Sequence, residues 1–447
     1  MRKQSKVSPY QTIWRWHFYA GIIISPFLLI LAVTGSIYLF KPQIEQNLYK
    51  DYYEVTAQGE KLSPSMQIQE VKRIHPDAQI TKYRQGETPD RSSEIGISTS
   101  DGSATVYLDP YTGKSLGELK PEDKFMNKIE EIHGELMAGT TGDRIVELAA
   151  CWAIVLIVTG LFLWFPRKKD KFSGVFFPRF RKGKSILLRD LHAVPAFWIT
   201  SGMLFLIMTG LPWSGFWGTN FQNIMTNSGA GYPPSIWSGD APESVLKTSE
   251  IAEVPWAAEN LDVPVSALEG FTPLSMIDVV NIAEREGIDP GYTVYIPQDE
   301  KGIYTLSAFP DKAQDEVTMH LDQYTGAVLA DYRFANYGTV AKVVAMGITL
   351  HTGKQFGLIN QLISLFICLG IILVVVSGFY LWLKRKPKKE MGAPKGPSIL
   401  KMKSFLLLMI ILSILFPLVG LSLIVVLLLD WLVIKRIPTL NKFLGSE

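Results

Sequence analysis

Trp14-Arg15-Trp16-His17 opens directly onto the uncharged run 18–40, which carries Thr34-Gly35 near its far end. A run of more than 20 apolar residues is long enough to cross the hydrocarbon core of a bilayer as a helix. His17 therefore stands at the mouth of a membrane helix, with Thr34 17 residues further on. The arrangement returns at His192, where Thr209-Gly210 again begins 17 residues later. A second pattern also appears twice: His133 precedes Thr159-Gly160 by 26 residues, and His351 precedes Ser377-Gly378 by 26. Four of the six histidines thus form two matched pairs, each tied to an apolar helix at fixed spacing. Ionisable residues at or inside a membrane are costly, which makes them candidates for function.

Three further runs, 148–165, 194–213 and 359–383, are apolar enough to span. The net charge is only +2, but its placement is uneven. Lys and Arg gather before His17 (Arg2, Lys3, Lys6, Arg15), between the second and third runs (Arg167, Lys168, Lys169, Lys171, Arg179, Arg181, Lys182, Lys184, Arg189) and after the fourth (Lys384, Arg385, Lys386, Lys388, Lys389). The positive-inside rule makes those segments cytoplasmic and puts 41–140 and 214–350 outside. Trp14, Trp16, Trp164, Trp213 and Trp382 fall at the interfaces, as an aromatic belt. The first run is too long for a signal-peptide core and reads as an uncleaved anchor. Cys151 and Cys368 lie within apolar runs and read as small packing residues, with no CxxC or CxxCH present. No nucleic-acid partner is expected from this charge distribution.

The first outer segment carries an amphipathic stretch at 65–74 after Ser63-Pro64, then alternation at 94–98 and 104–108, then the turn Asp109-Pro-Tyr-Thr-Gly113. The second repeats the unit: helical spacing at 276–286, strand-like 292–296, 302–307 and 317–321, and the turn Asp322-Gln-Tyr-Thr-Gly326. VYLDPYTG at 106–113 and MHLDQYTG at 319–326 read as an internal duplication of a helix, outer α+β domain, helix unit. Beyond Pro387, the run 405–434 is broken at Pro417 and Gly420. It forms either one kinked span or a hairpin, and the basic pair Lys435-Arg436 favours the hairpin's return to the cytoplasm.

The two DxYTG turns, the His-led helices, the Thr-Gly helix ends and the Leu163-Trp164 and Leu381-Trp382 exits resemble the PepSY-associated transmembrane proteins across about residues 10–390. That family includes inner-membrane ferric-siderophore reductases carrying b-type haem. The resemblance implies an α-helical membrane bundle of four core transmembrane helices plus a C-terminal apolar segment, with two periplasmic α+β PepSY-like domains.

Topology sorts the histidines. His17 and His192 begin outward-going helices near the cytoplasmic face; His133 and His351 precede inward-going ones near the periplasmic face. Seventeen helical residues rise about 26 Å, which brings each small-Gly step to the depth of the opposite histidine pair. Gly35, Gly160, Gly210 and Gly378 let a flat ring or a backbone approach closely. Two imidazoles facing each other across a bundle suit a non-covalent haem. Zinc or copper sites usually collect three or four ligands, and a proton relay or purely structural histidines are the other readings. The expected cofactors are two haem b groups, one on His17 and His192 and one on His133 and His351. His75 and His320 read as ordinary domain residues, and Glu147 as an interfacial partner of Arg144. Trp217, Phe221, Tyr232, Trp237 and Trp256 read as loop anchors rather than a ligand platform.

The expected organisation is 1–40 cytoplasmic arm and helix one; 41–132 outer domain one; 133–166 histidine segment and helix two; 167–191 basic loop; 192–213 helix three; 214–350 outer domain two; 351–383 histidine segment and helix four; 384–403 basic linker; 404–434 C-terminal span or hairpin; 435–447 tail. The expected function is a di-haem reductase of the bacterial inner membrane, its N-terminus cytoplasmic. It would take electrons from a cytoplasmic donor or quinol and pass them to a periplasmic ferric chelate or siderophore. Neither a GxGxxG nor room for a nucleotide domain exists in the short basic loops, so no nicotinamide or flavin site is expected within this chain. The rival is a non-enzymatic mount whose PepSY domains bind or restrain a periplasmic peptide or protease.

Overall fold

The computed structural model describes residues 9–166, 174–231, 246–266, 272–387, 390–393 and 403–444. Arg2, Lys3, Lys6, Arg167, Lys168, Lys169, Lys171, Tyr232, Trp237, Lys388 and Lys389 lie outside the described residues. In chain order the elements are α1 (Pro9–Tyr38), α2 (Lys41–Leu48), α3 (Lys50–Tyr53), α4 (Pro64–Ile74), β1 (Gln79–Arg84), β2 (Ser93–Thr99), β3 (Gly102–Leu108), β4 (Ser115–Leu119), α5 (Phe125–Glu135), α6 (Gly139–Trp164) and α7 (Lys184–Gly210). There follow α8 (Trp217–Asn227), α9 (Thr248–Ile251), α10 (Met276–Arg285), β5 (Thr293–Tyr295), β6 (Ile303–Ala308), β7 (Val317–Asp322), β8 (Val328–Arg333), α11 (Thr339–His351), α12 (Leu358–Arg385), α13 (Lys403–Leu415), α14 (Pro417–Leu432) and α15 (Pro438–Phe443). Two compact units result: Met1–Leu39, Glu130–Thr219 and Leu362–Glu447 form a helical one, and Phe40–Ile129 with Asn220–Gln361 form the other.

Among the described residues of the helical unit and its adjoining turns, five helices are long and apolar enough to cross a membrane. The protein is a multi-pass membrane protein. α1 and α7 begin earlier than their apolar runs, so His17 and His192 each lie eight residues inside a helix rather than at its mouth. The reason is that a helix needs backbone hydrogen bonds and not apolar side chains, so it continues through the polar residues upstream. α1 packs on α6, and α6 on α7. α7 and α12 approach closely at two glycines: a Cβ on Gly202 would fall 2.5 Å from Ile367, and one on Gly370 2.6 Å from Ile199. Pro195 inside α7 cannot donate to the Leu191 carbonyl, and the Ser377 hydroxyl reaches that oxygen at 3.4 Å.

The C-terminal segment is a hairpin. Phe416 leaves the helical region (φ −127, ψ 85), Pro417 starts α14, and a Cβ on Gly420 would sit 3.0 Å from Ser413 across the bend. The Leu415 carbonyl at the bend accepts from Trp217 Nε1 at 2.9 Å. At the far end, the Leu444 carbonyl accepts from Arg15 Nη2 at 3.1 Å and Tyr19 Oη at 2.5 Å.

The other unit is built on one antiparallel sheet of eight strands, ordered β4-β3-β2-β1-β5-β6-β7-β8. The two strand-bearing segments, expected as separate domains, meet where β1 pairs with β5 (Lys82 opposite Tyr295, Tyr83 opposite Val294). Pairing the two inner edge strands removes two open edges, the sites at which sheets otherwise aggregate. Strands β1, β4 and β8 were not foreseen, because short polar runs such as Gln-Ile-Thr-Lys-Tyr-Arg lack clean alternation. α4 starts at the Ser63 cap, whose hydroxyl accepts from Met66 N, with Pro64 in the first turn. α10 starts at Ser275 in a capping box with Asp278. Both helices cover the same sheet face, where Val71, Ile95, Val106, Val279, Leu306 and Leu321 form the core. Each Asp-x-Tyr-Thr-Gly turn closes with its aspartate accepting from the turn and a glycine at positive φ (Gly113 at 72°, Gly326 at 71°).

Candidate functional site

Three of the four paired histidines are engaged in the helical unit, each at Nδ1. On α1, His17 Nδ1 lies 2.9 Å from the Thr159 hydroxyl of α6. On α7, His192 Nδ1 lies 2.9 Å from the Val374 carbonyl of α12. On α5, His133 Nδ1 lies 2.9 Å from the Thr34 hydroxyl of α1. The partners decide the tautomer. A carbonyl can only accept, so His192 must carry its proton on Nδ1. The Thr159 hydroxyl has one hydrogen and spends it on Val155 O at 2.7 Å, so it accepts from His17 Nδ1–H. Thr34 likewise donates to Ile30 O at 2.7 Å and accepts from His133. With Nδ1 protonated, a neutral imidazole keeps its lone pair on Nε2, the state in which histidine ligates a metal through that atom.

The small-Gly steps stand beside these rings. A Cβ on Gly160 would lie 3.3 Å from His17 Cε1, and one on Gly35 3.4 Å from His133 Cε1. At Gly378 it would lie 2.9 Å from His192 Cε1, closer than real Cβ atoms come, so no larger residue fits without displacing the ring. Gly210 is the last residue of α7, and His351 is the last residue of α11 in the sheet unit. Among the described residues, no three His, Cys, Asp or Glu side chains converge as a metal-holding cluster.

A tight turn holds His133 in place. Leu136 and Met137 both take positive φ (51° and 57°), which non-glycine residues rarely do. Gly142 permits the turn, since a Cβ there would stand 1.6 Å from the Glu135 carbonyl oxygen. Cys368 borders Gly35, with Sγ 4.0 Å from the position a Cβ would take, and Cys151 is buried.

Asp190, two residues before His192, is a feature the sequence reading passed over. It is fully buried and accepts Nε and Nη2 of Arg179 at 2.7 and 2.8 Å, while Arg189 adds Nη2 at 2.9 Å. A buried aspartate needs such a fork, and only the fold brings Arg179 to it. Glu147 is also buried and makes the expected ion pair, with Arg144 Nη1 3.9 Å away. Its carboxylate in addition accepts from Phe216 N at 3.0 Å and Trp217 N at 3.1 Å at the start of α8.

The remaining residues behave structurally. His75 caps the end of α4, 3.6 Å from Glu118. His320 is wholly buried in β7, with Nδ1 3.0 Å from Thr305 Oγ1 and the ring edge-on to Tyr332. Trp217 anchors to the hairpin bend, and Phe221 stacks on Trp256 at 6.0 Å. In the sheet unit a cavity of about 380 Å³ is bordered by Lys41, Glu45, Arg84, Arg91, Asp311 and Lys354.

The family described as the PepSY-associated TM region matches residues 14–385. A search of curated proteins found no match.

Proposed function

The chain belongs to the PepSY-associated transmembrane family, and from that premise we propose that it is a di-haem oxidoreductase of the bacterial inner membrane, reducing a ferric chelate in the periplasm. The observation that carries this reading is the common state of His17, His192 and His133, each with Nδ1 held by an acceptor, the state in which a neutral imidazole ligates a metal through Nε2. The donor set fits haem b, which asks for two axial ligands rather than three or four. His17 and His192 would hold one group, His133 and His351 a second, with Gly160, Gly378, Gly35 and Gly210 leaving the rings room. When bound, the haem supplies one-electron chemistry at iron.

The chain's own contribution is positioning and shielding. The Thr159 and Thr34 hydroxyls and the Val374 carbonyl orient the imidazoles, and the apolar helices keep water from them. The basic loops support a cytoplasmic N-terminus and a periplasmic sheet unit, read as two copies of one ancestral unit. The cavity beside Lys354, three residues after His351, offers room for a polar ligand as bulky as a chelate. Reduction to Fe(II) weakens the hold of hard oxygen ligands, which is why a reductase frees iron from a siderophore. The donor is a quinol or a cytoplasmic protein.

A pyridine haemochrome assay on protein made with ample haem should approach two groups per chain. His17→Ala and His192→Ala should remove the same spectroscopic haem, and His133→Ala and His351→Ala the other. In oriented vesicles, a membrane-impermeant ferric chelate should reoxidise the reduced protein faster from the sheet-unit side. A colourless protein would overturn this reading in favour of a mount for binding a periplasmic peptide or protease.

A further inference from the structure

The segment 174–184 leads into α7 and is fastened to α6 and α7 at three points. Trp164 Nε1 donates to Val175 O at 3.0 Å, Trp198 Nε1 donates to Phe176 O at 2.9 Å, and Arg179 forks onto Asp190. Phe176 joins an aromatic cluster in which Trp164 and Phe197 stack at 4.1 Å with their planes 8° apart. These ties order the backbone, yet Phe177 and Phe180 turn away from them and remain 75% and 71% exposed. Arg181, Lys182 and Lys184 beside them are exposed, with no carboxylate within ion-pair distance among the described residues.

A loop pinned by three contacts that still presents two phenylalanines and three cations unpaired among the described residues is shaped for an external surface. Its position says which. Its C-terminal end runs into α7, and the tryptophans that hold it, Trp164 and Trp198, are residues of membrane-spanning helices, so the loop is tied to the bilayer interface. Aromatic side chains insert at that depth and cations bind anionic headgroups there. We propose that 174–184 is an interfacial anchor that docks on a leaflet of anionic lipid, with Phe177 and Phe180 among the acyl chains and Arg181, Lys182 and Lys184 on the phosphates. Because Asp190 and His192 share one turn of α7, the same anchor holds the His192 end of that helix against the leaflet. The proposal rests on the spans and not on haem.

The test uses full-length protein in nanodiscs, with a fluorophore on Phe177→Cys or Phe180→Cys; Cys151 and Cys368 are buried, and unsubstituted protein controls for their labelling. Asp101→Cys, in the exposed β2–β3 turn, is the aqueous reference. Lipids brominated on the acyl chain should quench the labels at 177 and 180 several-fold more than the reference, and iodide should quench them less. Phosphatidylglycerol should deepen the label relative to phosphatidylcholine, and replacing Arg181, Lys182 and Lys184 by Gln should abolish that difference. Strong iodide quenching without bromolipid quenching would overturn the proposal and leave a water-facing surface for a soluble protein. Bromolipid quenching with no dependence on lipid charge, or on the three cations, would overturn its electrostatic half.

Discussion

At His17 a single hydroxyl decides which ring nitrogen keeps the proton. Thr159 donates to Val155 O and so has only lone pairs to offer the imidazole. Thr159→Val should leave the Nδ1–H buried and unpaired, a loss of about 1–3 kcal/mol in stability. Thr159→Ser should keep both bonds and stay close to the parent. Where haem is bound, the valine variant should also raise the midpoint potential of the His17 and His192 haem, because an imidazole without its acceptor is a poorer electron donor to Fe(III). Thermal unfolding and potentiometric titration of the two variants check this. Equal behaviour of Val and Ser would remove the positioning role. The threonine could be picked from the sequence by its spacing. The equivalent acceptor for His192 could not, because it is the carbonyl of Val374, and every residue has a carbonyl.

At the scale of elements, the helices α5 and α11 escaped the sequence reading because they are short and adjoin longer apolar runs. Yet α5 is what delivers His133 to α1, and its delivery depends on the turn closed at Gly142. Gly142→Ala should prevent that turn, since its Cβ and the Glu135 oxygen cannot share the space. We expect a lowered thermal midpoint, corresponding to about 2 kcal/mol or more, and, where haem is bound as proposed, loss of the group on His133 ahead of the other. Gly134→Ala is the control: nothing lies within 4 Å of its Cβ, and alanine favours an α-helix interior by about 1 kcal/mol. Melting curves with haem spectra distinguish the two. If Gly142→Ala melts with the parent and keeps both haems, the turn does not hold His133.

At the scale of the whole molecule, two buried groups in the sheet unit tie stability to pH in opposite directions. Burial pushes the His320 imidazole down to about 3. Between that value and the ordinary one near 6.5, the unfolded chain binds a proton the folded chain refuses, so stability is lost as pH falls through this window. Burial pushes the Glu316 carboxyl up to about 8, against the opposing pulls of the Tyr337 hydroxyl and Lys354. Here the folded chain keeps a proton the unfolded chain has released, so stability falls as pH rises from the ordinary value of 4.5 to about 8. Glu259, raised to about 6, adds to the second slope over a narrower range. Glu316→Gln should remove its fall in thermal midpoint between pH 4.5 and about 8 and leave the His320 loss below pH 4.5 as it was. An unchanged slope between pH 6.5 and 8 would show that Glu316 ionises normally in the folded chain.

The sequence alone determined the membrane spans, the small-Gly steps that stand beside His17, His192 and His133, and the capped start of α4. These depend on runs, spacings and caps, which are local in the chain and repeat with the pitch of a helix. Only the tertiary structure decided that β1 pairs with β5 to make one sheet, that α13 and α14 turn back on each other, and that Glu147 serves the Phe216 and Trp217 amides as well as Arg144. It also decided that Val374 orients His192 and that Arg179 neutralises Asp190. The physical reason is common to all five. Backbone amides, carbonyls and open strand edges are offered by every residue alike, so which of them a distant group meets is settled by packing and leaves no mark in the local sequence.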